Sequence, residues 1–426
     1  GSKYITFGFA PEKTFERSIK FNGTTDFMDA GKVLNLNTSF TVSAWVNRST
    51  TTNRTILSKR NSTFTEGYDL GINAAGKAEM SWMVGVTKYT ITSNVVIPQD
   101  KWHHIAVIYD GTKATIYIDG ITLASTAKTL PTVPATTQSF LIAAADGVTP
   151  TSYFKGSIDE VRVWKVALTP AQLRYVMNQE ILNNTAFTNG AIIPNTITKN
   201  DISSMPWTDL SVYYPMSTYT YTNAKDISSN NYTAALRNLK TVDRQTAPLP
   251  YLSQADGMWE SAGTWLNNAV QDLPNSLSIE DNSKTIDWNI IKTNHNIIST
   301  GNKTALGLFV NSNTVTATND TKIEVSHYLK LDGKIDLQGM SQLLQTTDSE
   351  LDPTSKGSIE RDQQGQLNKY NYNYWSSPVS PINPIANNSN YTVKGVMKDG
   401  ATSTPIDIKF IDGYDGTTTP TLSLAR

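Results

Sequence analysis

The stretch Gly156–Leu173, GSIDEVRVWKVALTPAQL, carries the strongest fold information in the chain. Apolar residues recur through its first half, between Ile158 and Trp164, which predicts a strand with a buried face. Thr169-Pro170 then predicts the start of a short helix, because threonine caps helix N-termini and proline suits the first helical position. The stretch therefore predicts a strand followed by a short amphipathic helix that covers a sheet.

The composition is typical of an all-β, extracellular protein of bacterial origin. Charged residues make up only 17% of the 426 residues, and threonine, serine and asparagine take their place. The net charge of −1 gives no electrostatic footprint for nucleic acid. The absence of cysteine excludes disulfides and thiolate metal sites. No run of residues is long and apolar enough to span a membrane, and the Gly1-Ser2 start predicts a fragment of a longer protein.

Residues 18–182 predict a β-sandwich. Strand-like stretches end in Asp110-Gly111 and in Asp119-Gly120, and a strand–Asp-Gly–strand pattern indicates a hairpin because glycine adopts the positive φ of the turn. Short strands with turns about every ten residues are typical of such a sandwich.

Motifs in this unit resemble those of the LamG-like jelly roll, a branch of the concanavalin A-like lectin/glucanase superfamily. In chain order they are SIKFNGTTDFMDAG, FTVSAWV, KWHHIAVIYDG, ATIYIDG and GSIDEVRVWKVALTPAQL. The resemblance covers nearly all of residues 18–182. It implies a jelly roll that serves as a surface recognition module rather than a metabolic enzyme.

The next segments are a predicted linker, residues 183–209, and residues 210–248, which resemble the opening strand of a LamG-like domain. That resemblance rests on LSVYYPM at Leu210–Met216 and DISSNNY at Asp226–Tyr232. Three alternatives stay open for this segment: it completes the first jelly roll, it belongs to a degenerate domain, or it belongs to the module that follows.

Residues 249–385 predict a β-solenoid-like module. Apolar residues alternate in Ile286–Ile290 and again, twenty residues later, in Leu306–Val310. Such ladders separated by Asn, Gly and Asp turns predict rungs of a short parallel β-helix, because stacked rungs bury what one rung cannot. A two-layer antiparallel sandwich is the alternative. Residues 386–426 predict the start of a further β-domain, with strand-like stretches at Tyr391–Val396 and Pro405–Ile411.

The amino-acid sequence of this module resembles that of very large Bacteroidetes surface adhesins. The resemblance rests on stretches such as TAPLPYLSQADGMWESAGTWLNN, from Thr246, and SHYLKLDGKIDLQG, from Ser326. It implies export by the type IX secretion machinery, which is associated with gliding motility, and a secreted or outer-surface location.

Catalytic carboxylates are not expected. Retaining hydrolases of the concanavalin A-like fold carry Glu-x-Asp-x-(x)-Glu on one strand, and this motif is absent. Asp159 and Glu160 are adjacent, and strand alternation predicts that they point to opposite faces and cannot flank one bond. His103 and His104 are expected to pack in the sandwich, since no histidine has metal-ligand spacing. The chain is therefore predicted not to be an enzyme.

Calcium is the expected cofactor, because Ca²⁺ prefers carboxylate and carbonyl oxygens at loops. The candidate ligands are Asp26, Asp146 and Asp159. The alternative is ordinary: Asp26 and Asp146 form turns, and Asp159 caps a neighbouring backbone N–H.

Glycan recognition needs aromatic surfaces and hydrogen-bonding groups on an accessible face. The candidate ligand-binding residues are Tyr68, Asp69, Trp82, Tyr89 and Tyr153. The alternative for Trp82 is a place in the core. The loop Asn61–Glu66 is expected to be exposed, and such loops carry specificity.

These observations predict a non-enzymatic cell-surface adhesin fragment that recognises surface glycans, or host or substratum proteins, through the jelly roll. The alternatives are a purely structural spacer in a giant surface filament and an accessory module of a polysaccharide-degrading enzyme. No nucleic-acid partner is expected.

Overall fold

The computed structural model describes residues 13–14, 17–51, 54–194, 205–220, 222–239, 246–365, 393–400 and 405–408. The described chain is built almost entirely of strands, which form an N-terminal jelly-roll sandwich and a C-terminal parallel β-solenoid. The fold class predicted from the sequence is therefore confirmed.

The first layer of the sandwich, called here the front sheet, has ten described strands. In spatial order they are Lys13–Thr14, Thr218–Tyr219, Asn223–Ala224, Ala234–Arg237, Phe27–Asp29, Leu141–Ile142, Arg54–Arg60, Gly67–Ile72, Lys77–Val84 and Thr87–Val96. All the described pairings between them are antiparallel.

The second layer, called the back sheet, has seven described strands. In spatial order they are Lys128–Thr129, Lys113–Ile118, Trp102–Tyr109, Phe40–Arg48, Lys155–Trp164 and Leu210–Tyr214, with Ile19–Asn22 also paired to Lys155–Trp164. Every residue of Phe40–Arg48 is buried, because both faces of this sheet are covered. Val42 and Val46 face the front sheet across the sandwich core, whereas Trp45 lies in a second core on the other side.

Residues after position 205 add strands to both layers of the sandwich. Leu210–Tyr214 pairs with Lys155–Trp164 in the back sheet, and Ala234–Arg237 pairs with Phe27–Asp29 in the front sheet. Among the alternatives left open for this segment, this strand pairing corresponds to completion of the first jelly roll. The preceding range, predicted to be a linker, includes part of a hairpin between Ile181–Asn184 and Phe187–Gly190.

The helix expected from the opening stretch runs from Pro170 to Met177. The Thr169 hydroxyl accepts a hydrogen bond from Gln172 N at 3.2 Å, and the Gln172 side chain accepts one from Thr169 N at 2.9 Å. This reciprocal pair satisfies two backbone donors that the first turn would leave unpaired. The helix buries Leu173 and Val176 in the second core.

Short helical and strand segments complete the described chain. They are the 3-10 turns Ala124–Thr126, Trp207–Asp209 and Ala262–Thr264, the helix Val393–Val396, and the paired strands Lys398–Asp399 and Ile406–Asp407. Val393–Val396 lies in a stretch expected to be a strand, and most of the predicted domain 386–426 lies outside the described residues.

The solenoid consists of two parallel sheets. One contains Tyr251–Leu252, Ile290–Thr293, Lys303–Val310, Lys322–Leu331, Gln342–Gln345 and Glu350–Leu351; the other contains Gly257–Met258, Ile297–Ser299, Thr314–Ala317, Lys334–Leu337 and Ser358–Arg361. Equivalent apolar residues stack from coil to coil, as in Ile291, Leu308 and Leu329. The predicted rung Ile286–Ile290 becomes a strand only from Ile290, because Ile286 and Trp288 pack in the second core.

The solenoid packs on the outer side of the back sheet and shares the second core with it. Trp288 lies at the centre of this junction: its indole N–H donates to Asp119 O at 3.1 Å, and its carbonyl accepts from Asn178 Nδ2 at 2.7 Å. The Arg174 guanidinium lies 4.1 Å from the Trp288 ring centroid. The outer face of the front sheet is consequently the sandwich face that the solenoid leaves uncovered.

Candidate functional site

The outer face of the front sheet carries a row of polar side chains. Leu70, Met80 and Ile91 point into the core. Because side chains alternate along a strand, the residues next to them in each strand point outwards. Cross-strand register then aligns Asp69 with Ser81, and Ser81 with Thr90. We call Asp69, Ser81 and Thr90 the polar row.

Hydrogen bonds hold the polar row in place. Ser81 Oγ and Thr90 Oγ1 lie 2.9 Å apart, and Asp69 Oδ2 accepts from Arg60 Nε at 2.5 Å and Thr55 Oγ1 at 3.0 Å. Burial raises the pKa of Asp69, and the Arg60 guanidinium opposes this shift without cancelling it. The row therefore holds hydroxyl and carboxyl groups in fixed positions, with Asp69 and Thr90 half-buried and Ser81 only 3% exposed.

An aromatic ring flanks the polar row. Phe64 is half-buried in the Asn61–Glu66 loop and has a φ of 50°, a left-handed conformation that is costly for a bulky residue. The Arg60 guanidinium lies 4.6 Å from its ring centroid, and the exposed Lys88 ammonium lies 4.9 Å from it. Arg60, Phe64 and Lys88, called the Phe64 cluster, combine positive charge with an apolar surface.

The predicted ligand-binding residues divide between the two faces. Tyr68 and Trp82 are core residues: the Tyr68 hydroxyl donates to Leu34 O at 2.9 Å, and the Trp82 indole donates to Pro131 O at 3.0 Å. Their exposed fractions of 1% and 0% leave no ring surface for a ligand, which corrects their placement at a binding face. Tyr89 is half-buried and packs against the same core.

Asp69 and Tyr153 lie on the outer side of the front sheet. Tyr153 packs edge-on to Phe27, with ring centroids 6.2 Å apart, in a small cluster separate from the sandwich core. The sequence places Phe64 in a loop expected to be exposed, but Arg60 and Lys88 are not among the predicted ligand-binding residues. Arg60 ends the strand just before that loop, which was an available indication, whereas Lys88 lies three strands further along the chain and no sequence pattern links it to the loop.

Among the described residues, the three candidate calcium ligands are each held by different hydrogen-bond donors. Asp26 accepts from Asn22 N and Thr25 Oγ1, at 3.2 and 3.1 Å. Within the ranges described, no group of three or more His, Cys, Asp or Glu side chains is arranged to hold a metal ion. The predicted set therefore does not form one coordination sphere.

Asp146 and Asp159 are each held by backbone donors. Asp146 accepts from Ser62 N at 3.1 Å and Val148 N at 2.9 Å; burial alone would raise its pKa, but these donors outweigh burial and lower it. Asp159 accepts from Glu160 N at 3.0 Å and Ala247 N at 3.2 Å. These contacts match the alternative role considered for Asp159, in which it caps a neighbouring backbone N–H.

The expectation that Asp159 and Glu160 point to opposite faces is wrong. Pairing with the neighbouring strand shifts register between Asp159 and Arg162, and Glu160 has a φ of 53°. Such a bulge interrupts the two-residue period, so both carboxyl groups line one cavity. Glu160 pairs there with Arg162 and accepts from the Tyr213 hydroxyl at 2.9 Å.

Comparison with known proteins supports the fold of the sandwich. Residues 22–174 match the family model of the concanavalin A-like lectin/glucanases superfamily. No curated protein sequence matches the chain at a significant level. In the part of the chain that the structure describes, no helix is long and apolar enough to cross a membrane.

Several solved structures are similar to part of the chain. A candidate carbohydrate-binding protein from Bacteroides ovatus is 20% identical, covering 55% of this chain and 61% of its own, with a TM-score of 0.39. The CBM40 of Ruminococcus gnavus IT-sialidase, bound to α2,3-sialyllactose, is 17% identical, covering 36% and 91%, with a TM-score of 0.31. Domain 4 of the Geobacillus stearothermophilus arabinanase AbnA, in complex with arabinotriose, is 23% identical, covering 37% and 74%, with a TM-score of 0.30. The chain thus spans about three fifths of the length of the Bacteroides ovatus protein.

Proposed function

We propose that this chain is a non-enzymatic cell-surface adhesin fragment that binds glycans through the outer face of the front sheet. The observation that carries the proposal is the polar row beside the Phe64 cluster, on the sandwich face that the solenoid leaves uncovered. Hydroxyl and carboxyl groups can bond sugar hydroxyls, and an aromatic ring can pack against the apolar face of a sugar.

The surroundings of the carboxylates support binding rather than catalysis. Asp69 is tied to Arg60, and Glu160 is buried against Arg162 and Tyr213. A retaining hydrolase needs two carboxyl groups about 5 Å apart across a sugar bond, one of them able to attack the sugar. These contacts commit the carboxyl groups to neighbouring protein side chains.

A glycan array with the full chain tests the proposal, followed by calorimetry on any sugar that binds. Phe64→Ala and Lys88→Gln are expected to weaken binding by about tenfold each, since each removes a contact worth about 1 kcal/mol or more. Lys113→Gln, a matched change of an exposed back-sheet lysine, is expected to leave binding unchanged. Absence of binding to every glycan would defeat the proposal, as would equal effects of Lys88→Gln and Lys113→Gln.

A structural spacer is the second candidate function. The burial of Tyr68 and Trp82 favours it, because the face predicted to carry aromatic platforms loses two of them to the core. The same array separates the candidates, since a spacer binds no glycan. Recognition of host or substratum proteins, and an accessory role beside a polysaccharide-degrading enzyme, remain proposals of the same kind.

We also propose export by the type IX machinery to the cell surface, on the resemblance of the solenoid sequence to Bacteroidetes adhesins. Protease treatment of intact cells tests it: the chain is expected to be cleaved in a type IX-competent strain and protected in a deficient one. Cleavage in both strains would defeat this route of export.

Calcium binding stays a prediction, although the three carboxylates do not share one site. Calcium at millimolar concentration is expected to raise the thermal midpoint if it binds the folded state. The Asp146→Asn variant tests whether that residue is a ligand, because it should lose the shift. If millimolar calcium leaves the thermal midpoint of the unaltered chain unchanged, the prediction is wrong.

A further inference from the structure

A lysine lies inside the sandwich, close to the loop that carries Phe64. Lys59 is 0% exposed, and its ammonium group donates a hydrogen bond to Gln138 O at 2.5 Å. Burial lowers the pKa of Lys59 to about 8; the attraction of Glu66 opposes this shift, and the charge of Lys32 adds to it. A charged amine at this position therefore costs stability. Because a methionine of similar length could fill the same space, packing alone does not explain the lysine.

Gln138 connects the buried lysine to the loop. Its side-chain amide donates to Glu66 Oε1 at 2.7 Å, and the Thr136 hydroxyl donates to Glu66 Oε2 at 2.5 Å. Both hydrogen bonds lower the pKa of Glu66, so its carboxylate is charged and is attracted by Lys59. We call Lys59, Glu66, Thr136 and Gln138 the loop anchor. The anchor ties the end of the Asn61–Glu66 loop to a segment about 70 residues later in the chain.

Phe64 needs such support, because its backbone conformation is unfavourable. Its φ of 50° is left-handed, and a bulky residue keeps this conformation only where its surroundings over-determine it. Within the loop, Phe64 N donates to Asn61 O at 3.2 Å, and Asn61 Oδ1 accepts from Thr65 N at 2.9 Å. The start of the loop is held by Asp146, which accepts from Ser62 N, and its end is held by the loop anchor.

We propose that the loop anchor positions Phe64 for glycan binding and makes that binding sensitive to pH through the ammonium group of Lys59. This inference rests on the glycan-binding function proposed for the front sheet. Lys59 and Glu66 act through the position of the Phe64 ring rather than by contact with the sugar, so they are positioning residues.

The direction of the pH dependence follows from the charge of Lys59. Below about pH 8 its ammonium group attracts Glu66 and donates a charge-assisted hydrogen bond, whereas the neutral amine at higher pH binds more weakly. Of the other groups near it, Lys32 is also charged, and Tyr68, opposite it in the neighbouring strand, stays neutral because burial raises its pKa. Raising the pH from 7 to 9 is therefore expected to weaken glycan binding by about threefold to tenfold.

Hydrogen–deuterium exchange of the full chain tests the loop anchor without any glycan. At pH 7, Lys59→Met and Glu66→Ala are each expected to speed amide exchange in residues 61–66 by about threefold or more, because each removes a hydrogen-bonding group of the anchor. Lys303→Met and Glu324→Ala, which change an ion-paired lysine and an ion-paired carboxylate of the solenoid, are the matched controls. Both controls are expected to leave exchange in residues 61–66 unchanged.

The glycan array, run with the same four variants at pH 7 and pH 9, tests the effect on binding. The array signal of the unaltered chain is expected to fall at pH 9. The signal of Lys59→Met is expected to be low at both pH values and to change little between them, a difference that a merely structural role would not produce. Both controls are expected to behave like the unaltered chain.

The outcomes separate this inference from the function on which it rests. Unchanged exchange in residues 61–66 of Lys59→Met or Glu66→Ala overturns the loop anchor, whatever the array shows. The pH sensitivity is overturned if the array signal of the unaltered chain does not fall at pH 9, or if that of Lys59→Met falls as much. If both variants exchange faster but no glycan binds to any of the proteins, the glycan-binding function is wrong, and the positioning of Phe64 by the anchor is supported.

Discussion

Arg162 links three parts of the molecule through one buried side chain. It pairs with Glu160, lies 5.0 Å from the Tyr213 ring centroid, and donates to Val176 O at 2.5 Å and Gln179 O at 2.6 Å. Those carbonyls lie at and just beyond the end of the helix Pro170–Met177, where backbone acceptors have no helical partner. One guanidinium thus satisfies a carboxylate and a helix terminus together.

Replacing Arg162 tests this arrangement. Arg162→Met is expected to lower the free energy of unfolding by about 3–5 kcal/mol, because it leaves Glu160 as an uncompensated buried charge. Chemical denaturation measures the change. The double variant Arg162→Met/Glu160→Gln is expected to recover part of the loss, and a loss below about 1 kcal/mol in the single variant would contradict the prediction.

His104 makes stability depend on pH in a defined direction. Its ring packs edge-on to Trp45, with centroids 5.4 Å apart, and burial lowers its pKa to about 3. The unfolded chain protonates this histidine at about pH 6.5, so its contribution is full above that pH and is lost as pH falls towards 3.

The variant His104→Gln is expected to reduce this acid sensitivity. Between pH 6.5 and 4.5 the unaltered chain should lose about 2–3 kcal/mol more stability than the variant, since one unit of pH is worth about 1.4 kcal/mol for one proton. Denaturant titrations at the two pH values measure this difference. His295→Gln, outside the sandwich, serves as the control, and identical pH profiles for the unaltered chain and His104→Gln would contradict the prediction.

At the scale of elements, the cap of the helix Pro170–Met177 sets how firmly it covers the back sheet. Thr169→Ala removes the hydroxyl that accepts from Gln172 N and is expected to cost about 1 kcal/mol. Because Gln172 returns the bond, Thr169→Ala and Gln172→Ala should be non-additive in a double-mutant cycle. Strict additivity of the two unfolding free energies would rule out the reciprocal cap.

Elements with a regular period could be predicted from the sequence. The stretch Gly156–Leu173 predicted its strand and helix, and the apolar ladders predicted the parallel coils. The same rule could have placed Tyr68 correctly, because Tyr68, Leu70 and Ile72 alternate with polar or small residues and share one buried face.

Features that break the period could not be predicted in this way. The bulge at Glu160 arises from pairing with strands on both sides, and no local sequence pattern indicates it. Trp288 was assigned to a rung because its neighbours alternate, but it packs against the sandwich instead. The cavity lined by Asp159 and Glu160 also includes Lys292 of the solenoid, so it could not be predicted from any one segment of the sequence.

At the scale of the whole molecule, sandwich and solenoid share the second core and are expected to unfold together. Trp102 N donates to Val270 O at 2.7 Å, and Lys101 Nζ lies 2.5 Å from Asp272 Oδ1, which adds polar contacts to the buried apolar surface. Calorimetry of the full chain should give one cooperative transition, matched by tryptophan fluorescence. Two resolved transitions would show that the units are energetically independent.

The covered back sheet has a mechanical consequence. Trp288, Arg174 and the apolar residues around them join sandwich to solenoid over a broad area rather than through a single flexible tether. Tension applied along the solenoid axis would therefore reach the sandwich as shear across a packed surface, and the front sheet would keep its angle to that axis. A ligand bound to the front sheet would therefore be held at a constant orientation relative to the solenoid axis.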